Sequence, residues 1–290
     1  MQLACSQPEP LQPDVLKHTA TLKMIASLPK NVAEASGLEI TSSGLLWTHN
    51  DDRFPVLYGC DTLGNVAKVV HLNHSNNGWE DLTQDEDGNL YIGAFGNNKN
   101  DRRNLSILKL PQPDKITDRV FNAELIEFTY EDQDEFPPPP THRNFDADAF
   151  VSIGDSLYIF TKNRTEPFTG YTKIYRLPSS PGKYRATLYD SIYLGNGSMM
   201  ENWVTSADIS PDREWLALLS HDRIWLVKTA PGKRFSAGQI FSLNLGAISH
   251  KAGLCFASNT LVYIVDELEF GFLGGKLYSL DLTEILHDLD

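Results

Sequence analysis

The residues best suited to chemistry are acids, amides and imidazoles placed at the ends of short apolar runs. Glu80 and Asp81 follow Trp79, Asp148 lies between Ala147 and Ala149, and Asp208 lies between Ala207 and Ile209. His49, Asn50 and Asp51 follow Trp47-Thr48, and Asn97 and Asn98 follow Phe95-Gly96. Lys162 and Arg164 flank Asn163, His221 sits in Ser220-His221-Asp222, and Asp266-Glu267 ends another apolar run. Carboxylates beside imidazoles suit general acid–base hydrolysis, with Glu80 and Asp148 as the acid–base candidates and His49 or His221 as proton donor. Asn50, Asp51, Asp81, Asn97, Asn98, Lys162, Arg164, Asp266 and Glu267 are the ligand-binding candidates. Strands disfavour Asp, and crowded carboxylates repel one another. Glu80, Asp148 and Asp208 therefore call for an offsetting charge. A bound cation, Lys162, Arg164, Lys251 or protonation of one acid would each supply it. Calcium is the natural cation, since it accepts mixed carboxylate and amide oxygens. The G-x-S-x-G nucleophile motif does not occur.

These residues are positioned by an internal repeat. Five segments share one pattern: a short strand of small, acidic and apolar residues, a tight turn, then a second apolar strand. The turns are Ser43-Gly44, Asp87-Gly88-Asn89, Gly154-Asp155, Ser210-Pro211-Asp212-Arg213 and Ser258-Asn259, built from residues that tolerate turn backbone angles. A third strand follows each pair, and a fourth follows in four of the five units. The last unit runs out of chain, and residues 21–28 have the strand character to complete it. Pairing the termini removes the exposed edges of an open sheet. The expected fold is an all-β, five-bladed β-propeller closed by an N-terminal strand, with a sixth blade between Asp114 and Phe145 as the alternative. Residues 19–290 form the single propeller domain, after an N-terminal stretch of residues 1–18.

In such a ring, successive loops alternate between two faces. The first-to-second strand turns read as solvated hairpins, and Asp85-Glu86-Asp87-Gly88-Asn89 is one of them. Loops from the second to the third strand, and from each unit to the next, share the other face. They deliver every candidate named above to one acidic mouth, together with His250 and Lys251. Trp47, Trp79, Phe95 and Trp203 offer aromatic contacts there.

Composition narrows the partners. The chain has 290 residues with a net charge of −13, so a nucleic-acid partner is not expected. No apolar run is long enough to span a membrane. Leu3-Ala4-Cys5-Ser6 and the Pro-rich residues after it match the end of a lipoprotein signal in part, without a preceding apolar stretch. This suggests a lipid on Cys5 and a cell-envelope location, lipid-anchored or periplasmic, with a cytoplasmic protein as the alternative. Cys60 and Cys255 fall in strand-like runs and read as buried packing residues.

Glu34-Ala35-Ser36-Gly37-Leu38, Leu46-Trp47-Thr48-His49-Asn50-Asp51, Trp79-Glu80-Asp81-Leu82, Ala94-Phe95-Gly96-Asn97-Asn98 and Ala207-Asp208-Ile209-Ser210-Pro211-Asp212 resemble bacterial SdiA-regulated and phytase-like, esterase-like propellers. There is a looser similarity to five-bladed calcium-activated nucleotidases, which hold calcium near the axis. That similarity implies Glu34, Glu80 and Asp148 as calcium ligands, with Asp208 beside them. The nucleotide-binding motifs and basic phosphate clusters of these groups are absent. The first functional expectation is a monomeric binding module for a small molecule, peptide or glycan. The alternative is a metal-dependent hydrolase of phosphate esters or lactones.

Overall fold

A computed structural model describes residues 12–51, 54–246 and 248–289. The Cys5 expectation lies outside these residues. Two strands, β1 (Asp14–Thr19) and β2 (Lys23–Ser27), precede the repeat. The first unit is β3 (Ala35–Ile40), β4 (Leu46–Asn50), β5 (Val56–Cys60) and β6 (Val66–Leu72). The second is β7 (Leu82–Gln84), β8 (Leu90–Ala94) and β9 (Leu105–Leu110), followed by the short β10 (Val120–Phe121) and then β11 (Glu124–Tyr130). The third is β12 (Asp146–Ile153), β13 (Ser156–Lys162), β14 (Tyr171–Pro178) and β15 (Gly182–Tyr193). A short helix, α1 (Met199–Asn202), leads to β16 (Ser206–Ile209), β17 (Trp215–Leu219), β18 (Arg223–Lys228) and β19 (Ile240–Asn244). The last unit is β20 (Lys251–Phe256), β21 (Leu261–Asp266) and β22 (Lys276–Asp281), with α2 (Thr283–Leu289) behind it.

Within each unit the strands pair antiparallel in chain order. The innermost strands β3, β7, β12, β16 and β20 stand side by side around one axis, each neighbouring the next and β20 returning to β3. This is a β-propeller. As expected from residues 21–28, β2 supplies the outer strand of the last unit, antiparallel to β22. Residues 114–145 do not build a further four-stranded sheet among the described residues. They give β10, which extends the first sheet parallel to β6, and β11, which completes the second. Parallel pairing of β11 with β15 fuses the second and third sheets at their outer edges. Strand β1 crosses the boundary expected at residue 18 and adds parallel to β19, covering an edge that would otherwise be open.

Aromatic and aliphatic side chains fill the wedges between sheets. Phe95 and Phe150 meet edge to face at 5.2 Å between the second and third sheets. Trp47, Trp79 and Leu82 pack between the first and second, and Leu226, Leu254 and Leu280 between the last two. Each such fully buried side chain contributes about 1.5–3 kcal/mol. Cys60 and Cys255 are buried free thiols in this packing.

The innermost strands do not hydrogen-bond to one another as a ladder. Their free N–H groups need partners, and side chains provide them. Asp81 accepts from Phe150 N, Ala207 N and Ser206 Oγ. Ser206 Oγ in turn accepts from Leu254 N at 3.0 Å. Asp208 Oδ2 accepts from Phe256 N at 2.7 Å, and Thr83 Oγ1 from Ser152 N at 3.1 Å. Gly37, at φ +66°, lets β3 approach so closely that a Cβ there would sit 2.8 Å from Leu82 N.

Candidate functional site

A cavity of about 470 Å³ opens at the mouth of the ring, a volume suited to a small molecule. Its walls come from loops joining second to third strands and from loops joining one sheet to the next. Of the sequence candidates, Asp51, Glu80, Asn98, Asp148, Lys162, Arg164, His221 and Glu267 line it.

Lys162, the last residue of β13, forms an ion pair with Asp148 of β12. The bulge between Ala147 and Ala149 lies at Asp148. Burial pushes Asp148 up to about 6, against the pull of Lys162, and raises Glu80 well above the usual carboxylate range, with Asp148 adding to it. Burial opposes the charge on Lys162, but Asp148, Asp146 and Glu80 outweigh it and strengthen its hold on its proton. Gly96 makes room for Glu80, because a Cβ there would overlap Glu80 Oε1.

Arg164 forms the adjoining wall. Its Nε donates to Asp146 Oδ2 at 2.6 Å, its guanidinium bonds Asn98 Oδ1, and its Cζ lies 4.3 Å from the centre of the Trp203 ring. Asp146 also accepts from Asn97 N at 2.7 Å. Trp203 is anchored through Nε1 to Asn163 O at 2.7 Å and follows α1, whose Ser198 and Glu201 form a capping box. That S-x-x-E signal is readable in the sequence and announces the turn that presents Trp203 and Met200 to the cavity.

His221 is 5% exposed, and its Nδ1 is buried without a hydrogen-bond partner. Burial, with Lys162, His250 and Lys251 nearby, brings it down to about 4, so the ring is neutral near pH 7. His250 was placed on this face by the sequence without a role. Its ring lies 5.2 Å from His221, and it lines the same cavity.

Other candidates are placed elsewhere. His49 is fully buried, edge-on to Trp79, with Nδ1 against Asn50 O; it does not line the cavity, so the proton-donor role expected for it is corrected. Asp81 and Asp208 serve the inner-strand N–H groups. The strand position that marked Asp208 as a site residue is explained by such a donor, Phe256 N. Asn97 is buried, donating to Phe145 O and accepting from Arg102 N. Asp266 accepts from Lys276 N and Tyr278 Oη, binding β21 to β22. Asn50 donates to Asn31 O. Glu34 is half-buried outside the cavity lining. Trp47, Trp79 and Phe95 are fully buried, leaving Trp203 as the aromatic wall among the four expected.

The calcium set Glu34, Glu80, Asp148 and Asp208 is therefore not brought together. Calcium takes six to eight oxygens, whereas no group of three or more His, Cys, Asp or Glu side chains among the described residues is arranged to hold a metal. Lys162 Nζ is itself bonded to Asp148 Oδ2. In this arrangement the residues do not fit calcium.

The fold and the site define a β-propeller with a charged mouth. No family model and no curated protein match the chain. Solved structures similar to it include a candidate gluconolactonase, at 11% identity and TM-score 0.50, covering 87% of this chain and 76% of that one. A gluconolactonase from Xanthomonas campestris is 14% identical, with TM-score 0.46, covering 86% of this chain and 72% of that chain. The PQQ-bound aldose sugar dehydrogenase from Streptomyces coelicolor is 10% identical, with TM-score 0.47, covering 91% and 98%. At these identities the likeness concerns the fold. No described helix is long and apolar enough to cross a membrane.

Proposed function

We propose that the chain is a hydrolase of lactones and related esters, acting at the mouth lined by Glu80, Asp148, Lys162, Arg164 and His221. The observation that carries this reading is the meeting, in one cavity, of a neutral imidazole, a buried ammonium and two carboxyls with raised proton affinity. Groups with proton affinities pushed apart are the means by which one site does acid and base work. His221 accepts a proton from water, and Lys162 and Arg164 stabilise the oxyanion that forms on the attacked carbonyl. Glu80 and Asp148 hold Lys162 in place and tune its charge. Between the two hydrolytic substrates, the lactone is preferred. A phosphate dianion would meet five acids, Asp51, Glu80, Asp148, Glu267 and Glu269, against Lys162, Arg164 and His250 in the lining, whereas a lactone is uncharged. Fold likeness to gluconolactonases accords with this choice but does not carry it.

The reading is preferred to the binding module placed first from sequence, and three of the four aromatic residues offered as contacts for that module are core residues. The test is hydrolysis of a panel of γ- and δ-lactones and aryl acetates by the whole chain. Turnover is expected, and the Glu80→Gln, Asp148→Asn double variant should lose ~10²–10⁴-fold in kcat/KM. Undiminished turnover in a folded double variant removes both carboxyls from the site. No turnover of any panel member by the native chain rejects the hydrolase.

A further inference from the structure

A second titratable pair stands in the cavity, apart from Glu80, Asp148 and Lys162. His250 directly precedes β20 and Glu267 directly follows β21, and Lys251 pairs with Asp266 across those strands. Glu267 N donates to His250 O at 2.9 Å, so the two residues are fixed opposite each other. His250 Nδ1 lies 3.0 Å from Glu267 Oε2 and 3.9 Å from Glu269 Oε1. With Nδ1 engaged, Nε2 is the ring nitrogen left for another partner. Lys251 Nζ donates to His221 O at 2.9 Å and to Ser249 Oγ at 3.0 Å, and so ties the two histidine loops together.

We propose that His250, oriented by its contact with Glu267, is the catalytic residue that donates a proton to the leaving oxygen. The proposal rests on the hydrolytic reading above. His221 takes one proton from water, and the water oxygen bonds to the carbonyl carbon. The ring C–O bond then breaks, and its oxygen takes the Nε2 proton of His250. One hydroxy acid forms, and His221 returns its extra proton to His250 through solvent. The charges facing His250 are Glu267 and Glu269, which favour its cation, and Lys162, which opposes it together with burial; His221 stands beside it. The bond to Glu267 is the largest influence, and it raises His250.

The test combines NMR titration of the His250 ring with the pH profile of kcat/KM on a δ-lactone. Glu267→Gln should lower the His250 pKa and move the alkaline limb of the profile down by the same interval. His250→Gln should lose ~10²–10⁴-fold in kcat/KM and abolish that limb. An alkaline limb that stays in place while the His250 titration moves overturns the proposal and leaves the hydrolase standing. So does a His250→Gln chain with native turnover. Absence of turnover in the native chain overturns the hydrolytic reading, and this proposal with it.

Discussion

Asp208 and Glu39 show how burial converts an acid into a pH-sensitive part of the fold. Burial pushes Asp208 up to about 7, and it raises Glu39 well above the usual carboxylate range, with Asp208 adding to it. An unfolded Asp titrates near ~3.9. Between that value and about 7 Asp208 holds more proton in the folded chain than in the unfolded one, so its contribution to stability falls as pH rises through this window. Urea unfolding at pH 5 and pH 8 should show a lower midpoint at pH 8. Asp208→Asn should flatten that difference, and an equal slope in both chains would remove Asp208 as its source. At the same scale, Gly96→Ala should displace the Glu80 carboxyl and reduce turnover while the thermal midpoint changes little. A variant with native kcat/KM would show that the position of Glu80 does not matter to the reaction.

At the level of elements, the propeller's weak point is its innermost edge. Ladder hydrogen bonds hold β3 to β6, or β16 to β19, but the inner strands of different sheets are joined by Asp81, which reaches both Phe150 and Ala207, and by Asp208, Ser206 and Thr83. Asp81→Ala leaves three buried donors without a partner. At about 1–3 kcal/mol for each unsatisfied buried group, a loss of about 3–9 kcal/mol is expected, read as a lower denaturant midpoint. A loss below about 1 kcal/mol would mean that the three donors find other partners. Asp148, by contrast, sits at a bulge and reaches the cavity. Two aspartates in inner strands thus have different work, decided by which way the backbone turns them.

For the whole molecule, closure depends on a strand from the other end of the chain. β2 pairs with β22, so both termini contribute to the last sheet. A chain starting at Leu28 should expose β22 as an edge. It should unfold at lower temperature and self-associate in size-exclusion chromatography. An unchanged midpoint in a monomeric truncated chain would show that β2 is dispensable for closure.

The propeller, its closing strand and the face that carries the mouth were all legible in the residues. The cause is that their signals are local: two-residue alternation, turn residues at fixed places, and a pattern repeated along the chain. Asp85 was legible in the same way, since its turn bonds to Asp87 N and Asn89 N span only four residues. The division of the acids into structural and cavity-lining groups was not legible. Asp81 takes its role from Ala207, 126 residues away, and the Arg164–Asn98 contact spans 66. Sequence composition placed His49 and His221 on equal terms. Tertiary packing set one edge-on against Trp79 in the core and the other beside His250 in the cavity. By itself, the sequence determined that acids, amides and imidazoles gather at one mouth of a β-propeller. Asp148–Lys162 and His250–Glu267 meet within their own hairpins, but only the closing of the ring brought those hairpins to one cavity and gave Asp81 its partners on other sheets.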